Sequence, residues 1–244
     1  MRRMLAILMI VSGCTSSTPI QWGDVVYSNA PMTPNELPSP IASRPSRMAC
    51  PGSLRLSGHY AVWWESNTDS SVTLFAARST NGRNWEQKVA ADTTDHGVRG
   101  CGRPAPAIAA DSASGYVHIA YFSEPNNGPG IFFAHSMDKA ATFHSPVPIV
   151  FGRNPSRTSV ASSGDKVAVA YEDPNSSQPL VGVALSRTMG HIFESRSIVT
   201  SENGRARQPV VRFAGDSIRL WWSEYSPRPE VSATRPYYRA GFWK

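Results

Sequence analysis

The sequence predicts an all-β chain of about four similar four-stranded units arranged as a propeller, and two observations carry the prediction. Strong Gly, Pro, Ser and Asn punctuation separates short alternating apolar runs, with almost no helical periodicity. The runs also repeat: Tyr60-Ala-Val-Trp-Trp64-Glu-Ser, Val117-His-Ile-Ala-Tyr121-Phe-Ser-Glu, Val167-Ala-Val-Ala-Tyr171-Glu-Asp and Ile218-Arg-Leu-Trp-Trp222-Ser-Glu share alternation, a large aromatic and then an acid. Measured at Trp64, Tyr121, Tyr171 and Trp222, the spacings are 57, 50 and 51 residues. A period near 50 with several strands per unit is the pattern of propeller blades, each a small sheet that buries its faces against its neighbours.

Each unit divides into strands in order. In the second, Ala105 to Ala109 is the inner strand, followed by Tyr116 to Phe122, Gly130 to His135 and Val147 to Phe151. The third offers Thr158 to Ala161, Lys166 to Tyr171, Leu180 to Leu185 and Arg196 to Val199. The last starts at Pro209 and reaches Lys244 after about three strands. A blade lacking its outer strand would leave backbone groups unpaired, and the lone strand Gly23-Asp-Val-Val-Tyr-Ser28 is expected to fill that edge. A fifth, irregular blade from residues 20 to 48 is the alternative.

Three segments follow third strands: Ser79-Thr-Asn81-Gly82-Arg-Asn-Trp85, Ser136-Met-Asp138-Lys-Ala140-Ala-Thr142-Phe143 and Ser186-Arg-Thr-Met-Gly190-His-Ile-Phe193. They resemble the Asp box (BNR repeat) of sialidase-like propellers, a hairpin turn in which Ser and Asp side chains accept bonds from turn amides and an aromatic tucks between strands. The first is one residue short with Asn for Asp, the second has Ala140 for Gly, and the third has Thr188 for the acid. The resemblance implies a structural turn and a sialidase-like fold. It also implies, for an enzyme of that family, an arginine triad, a Tyr/Glu nucleophile pair and an acid/base Asp, usually on six blades. Here four units are counted, and Ser43-Arg44-Pro45 and Gly102-Arg103-Pro104 are only partial echoes of the family's Arg-Ile-Pro motif.

In such a propeller the loops entering each inner strand share one face with the loops joining second to third strands. The entering loops hold Arg44 and Arg47, Arg99 and Arg103, Arg153 and Arg157, and Arg205 and Arg207, which are the expected ligand-binding set. Guanidinium forks suit a carboxylate or sulfate, because each fork reaches two oxygens. The loops after second strands hold Glu65, Glu124, Glu172 with Asp173, and Glu224 with Tyr225; Glu224 and Tyr225 are the catalytic candidates for a sialidase-type hydrolase. Mutual pairing of these Arg and Glu residues around the channel mouth is the structural alternative. Trp63-Trp64 and Trp221-Trp222 are expected to pack between blades rather than stack on sugars, since neighbouring strand residues point to opposite faces.

The leader carries its own signal. Val11-Ser12-Gly13-Cys14 follows Arg2, Arg3 and an apolar segment, and resembles the lipobox of bacterial lipoproteins, which implies acylation of Cys14 and an anchor in the cell envelope, at the outer membrane of a Gram-negative host. A chance cysteine in an ordinary secretory signal, or a buried N-terminal segment, is the competing reading. The expected organisation is a signal peptide over 1–13, a tether over 14–22 and one propeller domain over 23–244. Two cysteines then remain, Cys50 and Cys101, both ahead of inner strands of successive units and expected to form a disulfide in an exported protein. The charge balance is 24 basic against 18 acidic residues, or 22 against 18 without Arg2 and Arg3, with no Lys/Arg run. This argues against nucleic acid and leaves an anionic glycan or an envelope protein as the expected partner. Neither CxxC nor HExxH occurs, so no metal or cofactor is expected from motifs.

Overall fold

The computed structural model describes residues 20–28, 44–111, 113–200, 205–225 and 234–243. The chain enters through two short strands, β1 (Ile20–Trp22) and β2 (Val26–Tyr27), and then builds three complete antiparallel sheets. Blade 1 is β3 (Arg55–Ser57), β4 (Tyr60–Ser66), β5 (Val72–Arg78) and β6 (Val89–Asp92). Blade 2 is β7 (Ala107–Ala110), β8 (Val117–Ser123), β9 (Gly130–Ser136) and β10 (Val147–Phe151). Blade 3 is β11 (Thr158–Ser163), β12 (Lys166–Glu172), β13 (Val181–Ser186) and β14 (Ser195–Ile198). Blade 4 is β15 (Ala206–Ala214), β16 (Ser217–Tyr225) and β17 (Thr234–Trp243), and its outer edge is completed by the N terminus.

That closure is the predicted one, with an extension. Val26 and Tyr27 pair with Tyr238 and Tyr237, as expected for the segment 23–28. Ile20, Gln21 and Trp22, read from the sequence as tether, also pair with β17, opposite Trp243, Phe242 and Gly241. The sheet therefore begins three residues before the expected boundary at 23, because Ile20 is buried in the core of blade 4. Both segments lie on one edge of blade 4, so they do not found a fifth blade.

The strong apolar character of the middle strands follows from burial on both faces. All seven residues of β8 and all seven of β9 are buried. By the two-residue period of a strand, Ile119 and Tyr121 face blade 1, packing with Val62, Trp64 and Leu74. Phe122 and Phe133 face blade 3, packing with Val160, Val167 and Val169. Ala168, Ala170 and Val183 of blade 3 meet Leu220, Trp222 and Trp243 of blade 4 in a third core. Hydrogen bonds stitch the same junctions: Trp64 Nε1 donates to the Pro104 carbonyl at 3.0 Å, Tyr121 Oη to Asp92 at 2.7 Å, and Thr158 Oγ1 to the Ala120 carbonyl at 2.8 Å. Trp63, Trp64 and Trp222 are buried, as packing residues should be. Among the described residues no apolar cluster spans blades 4 and 1: Trp63 packs with Ala61, Phe75 and Leu54 within blade 1, and Trp221 lies tilted against Tyr238 within blade 4, ring centroids 5.0 Å apart.

At the ends of the third strands, three serines organise the turns. Ser136 Oγ accepts from the Ala140 amide at 2.9 Å, and Asp138 accepts from the Thr142 amide at 2.9 Å and its hydroxyl at 2.6 Å. Ser186 and Thr188 receive the Gly190 and Ile192 amides in the same way, at 3.0 and 2.9 Å. In the first blade Asn81 takes the Arg83 and Asn84 amides, while Ser79 donates to the Asn84 carbonyl. Ala140 adopts φ 64°, the left-handed region its Gly counterpart Gly190 also occupies at 91°.

Candidate functional site

The four inner strands surround a central cavity of ≈ 380 Å³ that opens where the entering loops lie. Each blade contributes one arginine to its lining: Arg55, Arg103, Arg157 and Arg212. Two of these, Arg103 and Arg157, belong to the set expected from the sequence. Arg55 and Arg212 sit in the strands rather than the loops, and an inner-strand cation with its alternate neighbours facing the axis was the signal that would have found them.

The four arginines differ in their partners. Arg103 has a fully buried side chain, donating through Nη2 to Asp95 and through Nη1 to Glu124, both at 2.6 Å. Asp95 also accepts from the Ser123 hydroxyl and the Glu124 amide, so the ion pair is part of the scaffold between β6 and β8. The expected ligand role of Arg103 is corrected accordingly: its fork is filled by two carboxylates. Arg55 donates to the Gly52 and Leu54 carbonyls at 2.9 and 2.8 Å and, among the described residues, has no carboxylate partner. Burial, and after it the Arg157 guanidinium, push Arg55 down from its ordinary value. Arg55 and Arg157 thus line one cavity, and among the described residues no carboxylate forms an ion pair with either. Arg157 is exposed and no described carboxylate pairs with its guanidinium, and the Arg212 Nε is buried without a hydrogen-bond partner among the described groups.

The remaining expected arginines are dispersed. Arg99 pairs with Glu124 at 3.1 Å; Arg44, Arg47, Arg153, Arg205 and Arg207 are exposed and do not line the cavity. The acids after the second strands are held in place. Glu65 receives Ser46, Trp63 and Lys88; burial opposes its charge, but the bonds from Lys88, Ser46 and Trp63 outweigh it and hold the carboxyl below its ordinary range. Glu172 accepts the Arg157 amide at 3.3 Å and the Gln208 amide at 2.9 Å, fixing the mouth between blades 3 and 4. Gln208 there takes a left-handed φ of 58° inside a bulge of β15, a strained backbone at the cavity rim. Glu224 accepts the Trp222 indole N–H at 2.9 Å. Tyr225 ends β16 opposite Thr234, and its side chain lies outside the described residues, as does Cys14. Cys50 and Cys101 are joined, with Cα atoms 5.2 Å apart, linking the entering loops of blades 1 and 2 beside the cavity.

A second constellation lies at the opposite end of the blades, where His135, His144 and His191 converge. Burial, then His144 and His191, push His135 down to about 4, so its imidazole is held neutral. No linear motif marks these residues, because they come from one strand end and two turns.

The fold and site define a four-bladed β-propeller with an arginine-lined axial cavity. No family model matches the chain, and no curated protein matches it. Among solved structures it is similar to a Hadza microbial sialidase, Hz136, at 16% identity and TM-score 0.48, covering 69% of this chain and 40% of that one. It is similar to a polysaccharide lyase of family PL25, an ulvan lyase, at 12% identity and TM-score 0.47, covering 72% and 45%. A GH43_12 protein retrieved from a capybara gut metagenome aligns at 15% identity and TM-score 0.46, covering 85% and 42%. The chain spans less than half the length of each of these proteins. The four-bladed architecture rests on the strand pairing described above.

Proposed function

We propose that the protein is a lipid-anchored envelope binding module of sialidase-like propeller fold that takes a carboxylated or sulfated glycan at the mouth of its axial cavity. The observation that carries this reading is the facing of Arg55 and Arg157 across the cavity with no carboxylate between them among the described residues. An anion with two or more oxygens would accept from both forks and relieve their repulsion. Arg212 would reach the same anion from blade 4. In this reading the Ser-led turns are degenerate Asp boxes with a structural task only. Cys14 is the anchor, and the first paired residue, Ile20, would sit within about 20 Å of it on an extended chain.

Three assays test the proposal. Screening the body lacking its leader and Cys14 on immobilised glycans should retain acidic members and release them with salt. Retention of neutral glycans alone would sink it, and capture only by acidic proteins would move the ligand to an envelope protein. Hydrolysis is the alternative, with Glu224 and Tyr225 as the candidate pair. Glu224 is engaged by Trp222, so a fluorogenic sialoside is expected to release no dye. Palmitate labelling that is lost on Cys14→Ser tests the anchor.

A further inference from the structure

Four of the six histidines in the sequence gather where the rims of blades 2 and 3 meet, at the end opposite the axial arginines. His118 and His135 are register partners across β8 and β9. His144 follows the Ser136 turn, its amide bonded to the His135 carbonyl at 3.0 Å, and His191 lies within the Ser186 turn of the next blade. The ring centroids of His135 are 4.5 Å from those of both His144 and His191, and the latter two are 5.6 Å apart. One ring nitrogen from each lies within 4.8 Å of the others. His135 is only 2% exposed, and neither of its ring nitrogens has a hydrogen-bond partner among the described residues. A buried polar group without a partner is costly, so this position calls for a group that the protein itself does not supply.

We propose that His135, His144 and His191 form a three-histidine site for a late first-row divalent cation, Zn²⁺ foremost, that ties blade 2 to blade 3. Three imidazole nitrogens on a tetrahedral zinc, at about 2.0–2.1 Å from it, lie about 3.4 Å apart. The separation of at most 4.8 Å therefore has to close by about 1.4 Å. His135 is fixed by packing against Phe133, whereas His144 and His191 are exposed on turns and reach that spacing by side-chain rotation. An all-imidazole donor set selects zinc, copper or nickel over calcium and magnesium, which require oxygen ligands. With three protein ligands the fourth position is open to water, on the solvent side of His144 and His191. Because the ligands come from two blades, the ion acts as a cross-link in the folded state.

The test uses untagged protein stripped with a chelator and then titrated with zinc chloride in a calorimeter. One ion per chain is expected, with a raised melting temperature. His144→Ala and His191→Ala touch exposed rings and should leave the apo fold unchanged. Each is expected to weaken binding by more than about 100-fold, beyond the 10–100-fold cost of losing an outer-shell partner. Co²⁺ should give the visible bands of a tetrahedral nitrogen site in the wild type and not in the double variant. Arg157→Ala should leave zinc affinity unchanged, which separates this site from the cavity. Absence of binding to the wild type, or binding retained in the double variant, overturns the proposal.

Discussion

Arg103 and Asp95 form a fully buried ion pair, Nη2 to Oδ1 at 2.6 Å, and the second fork nitrogen is held by Glu124 at the same distance. Removing one partner from such a pair strands the other charges in a dry site, which costs about 3–5 kcal/mol. Arg103→Ala is therefore expected to lose stability on that scale in urea titration. Arg103→Lys should recover only part of it, because one ammonium group does not reproduce a fork spanning two carboxylates. A stability within experimental error of wild type for Arg103→Ala would contradict the scaffold role.

The same cluster sets an acid limb. Burial raises the Glu124 carboxyl, but the bonds from Arg103 and Arg99 prevail and hold it below its ordinary value. The unfolded chain then binds more protons than the folded one as pH drops below about 4.3. The contribution is complete above that range and is lost as pH falls through the depressed folded value. Glu124→Gln should make the stability profile flatter below about pH 5, as measured by denaturant midpoints at stepped pH. An unchanged acid slope would count against the assignment.

The axial arginines behave oppositely to Arg103. Arg55 and Arg157 have no described carboxylate to strand, so Arg55→Ala and Arg157→Ala are expected to stay within about 0.5 kcal/mol of wild-type stability. Affinity for a sulfated or carboxylated glycan should fall about tenfold to hundredfold for each, the value of one charged hydrogen bond. Calorimetry at two salt concentrations reads both the loss and a smaller salt dependence. Full affinity in the double variant would remove the cavity as the anion site.

How far this was legible in the sequence depends on the range of the interaction. The alternation in Val117–Ser123 and its echoes are local, so blades 2 and 3 are readable almost to the residue. The closing edge was readable because the lone strand pattern at 23–28 stands apart from the first unit, and Val26 and Tyr27 do pair with β17. Ile20–Trp22 was missed, since a three-residue strand beside a Ser/Thr run carries no periodicity of its own. Arg103 and Arg157 look alike in sequence, both ahead of inner strands and both lining the cavity, and the position of Asp95 is what ties up the Arg103 fork. The histidines were invisible for a similar reason: His135 and His191 are neighbours in space across two blades.

Cys50 and Cys101 close a loop with a sequence separation of 51 residues between the entering loops of blades 1 and 2. In the chain-entropy model such a link restricts the unfolded ensemble by about 4 kcal/mol. Replacing both residues with Ala should lower stability by up to that amount, with the cavity mouth between Gly52 and Arg103 loosened. Guanidinium unfolding of the double variant checks it, and two free thiols titrating in the unreduced wild type would rule out the bridge.

The N-terminal edge makes the strongest demand on the fold. Ile20 is 3% exposed, packed with Leu220, Trp222 and Trp243, and β1 pairs along β17 from Trp243 to Gly241. Ile20→Val should cost about 0.5–1.5 kcal/mol and Ile20→Ala about 2–5 kcal/mol, the range for trimming a buried aliphatic residue. A chain beginning at Gly23 loses the side chain and also bares the end of β17. Exposed strand edges recruit other chains, so this truncation should melt earlier and also elute as oligomers in light-scattering chromatography. Ile20→Ala, which keeps the backbone pairing, should lose stability but stay monomeric. The contrast isolates the two contributions, since packing is common to both variants and only the truncation opens the edge. A truncated chain that remains monomeric with wild-type melting would show that β1 plays no part in closing blade 4.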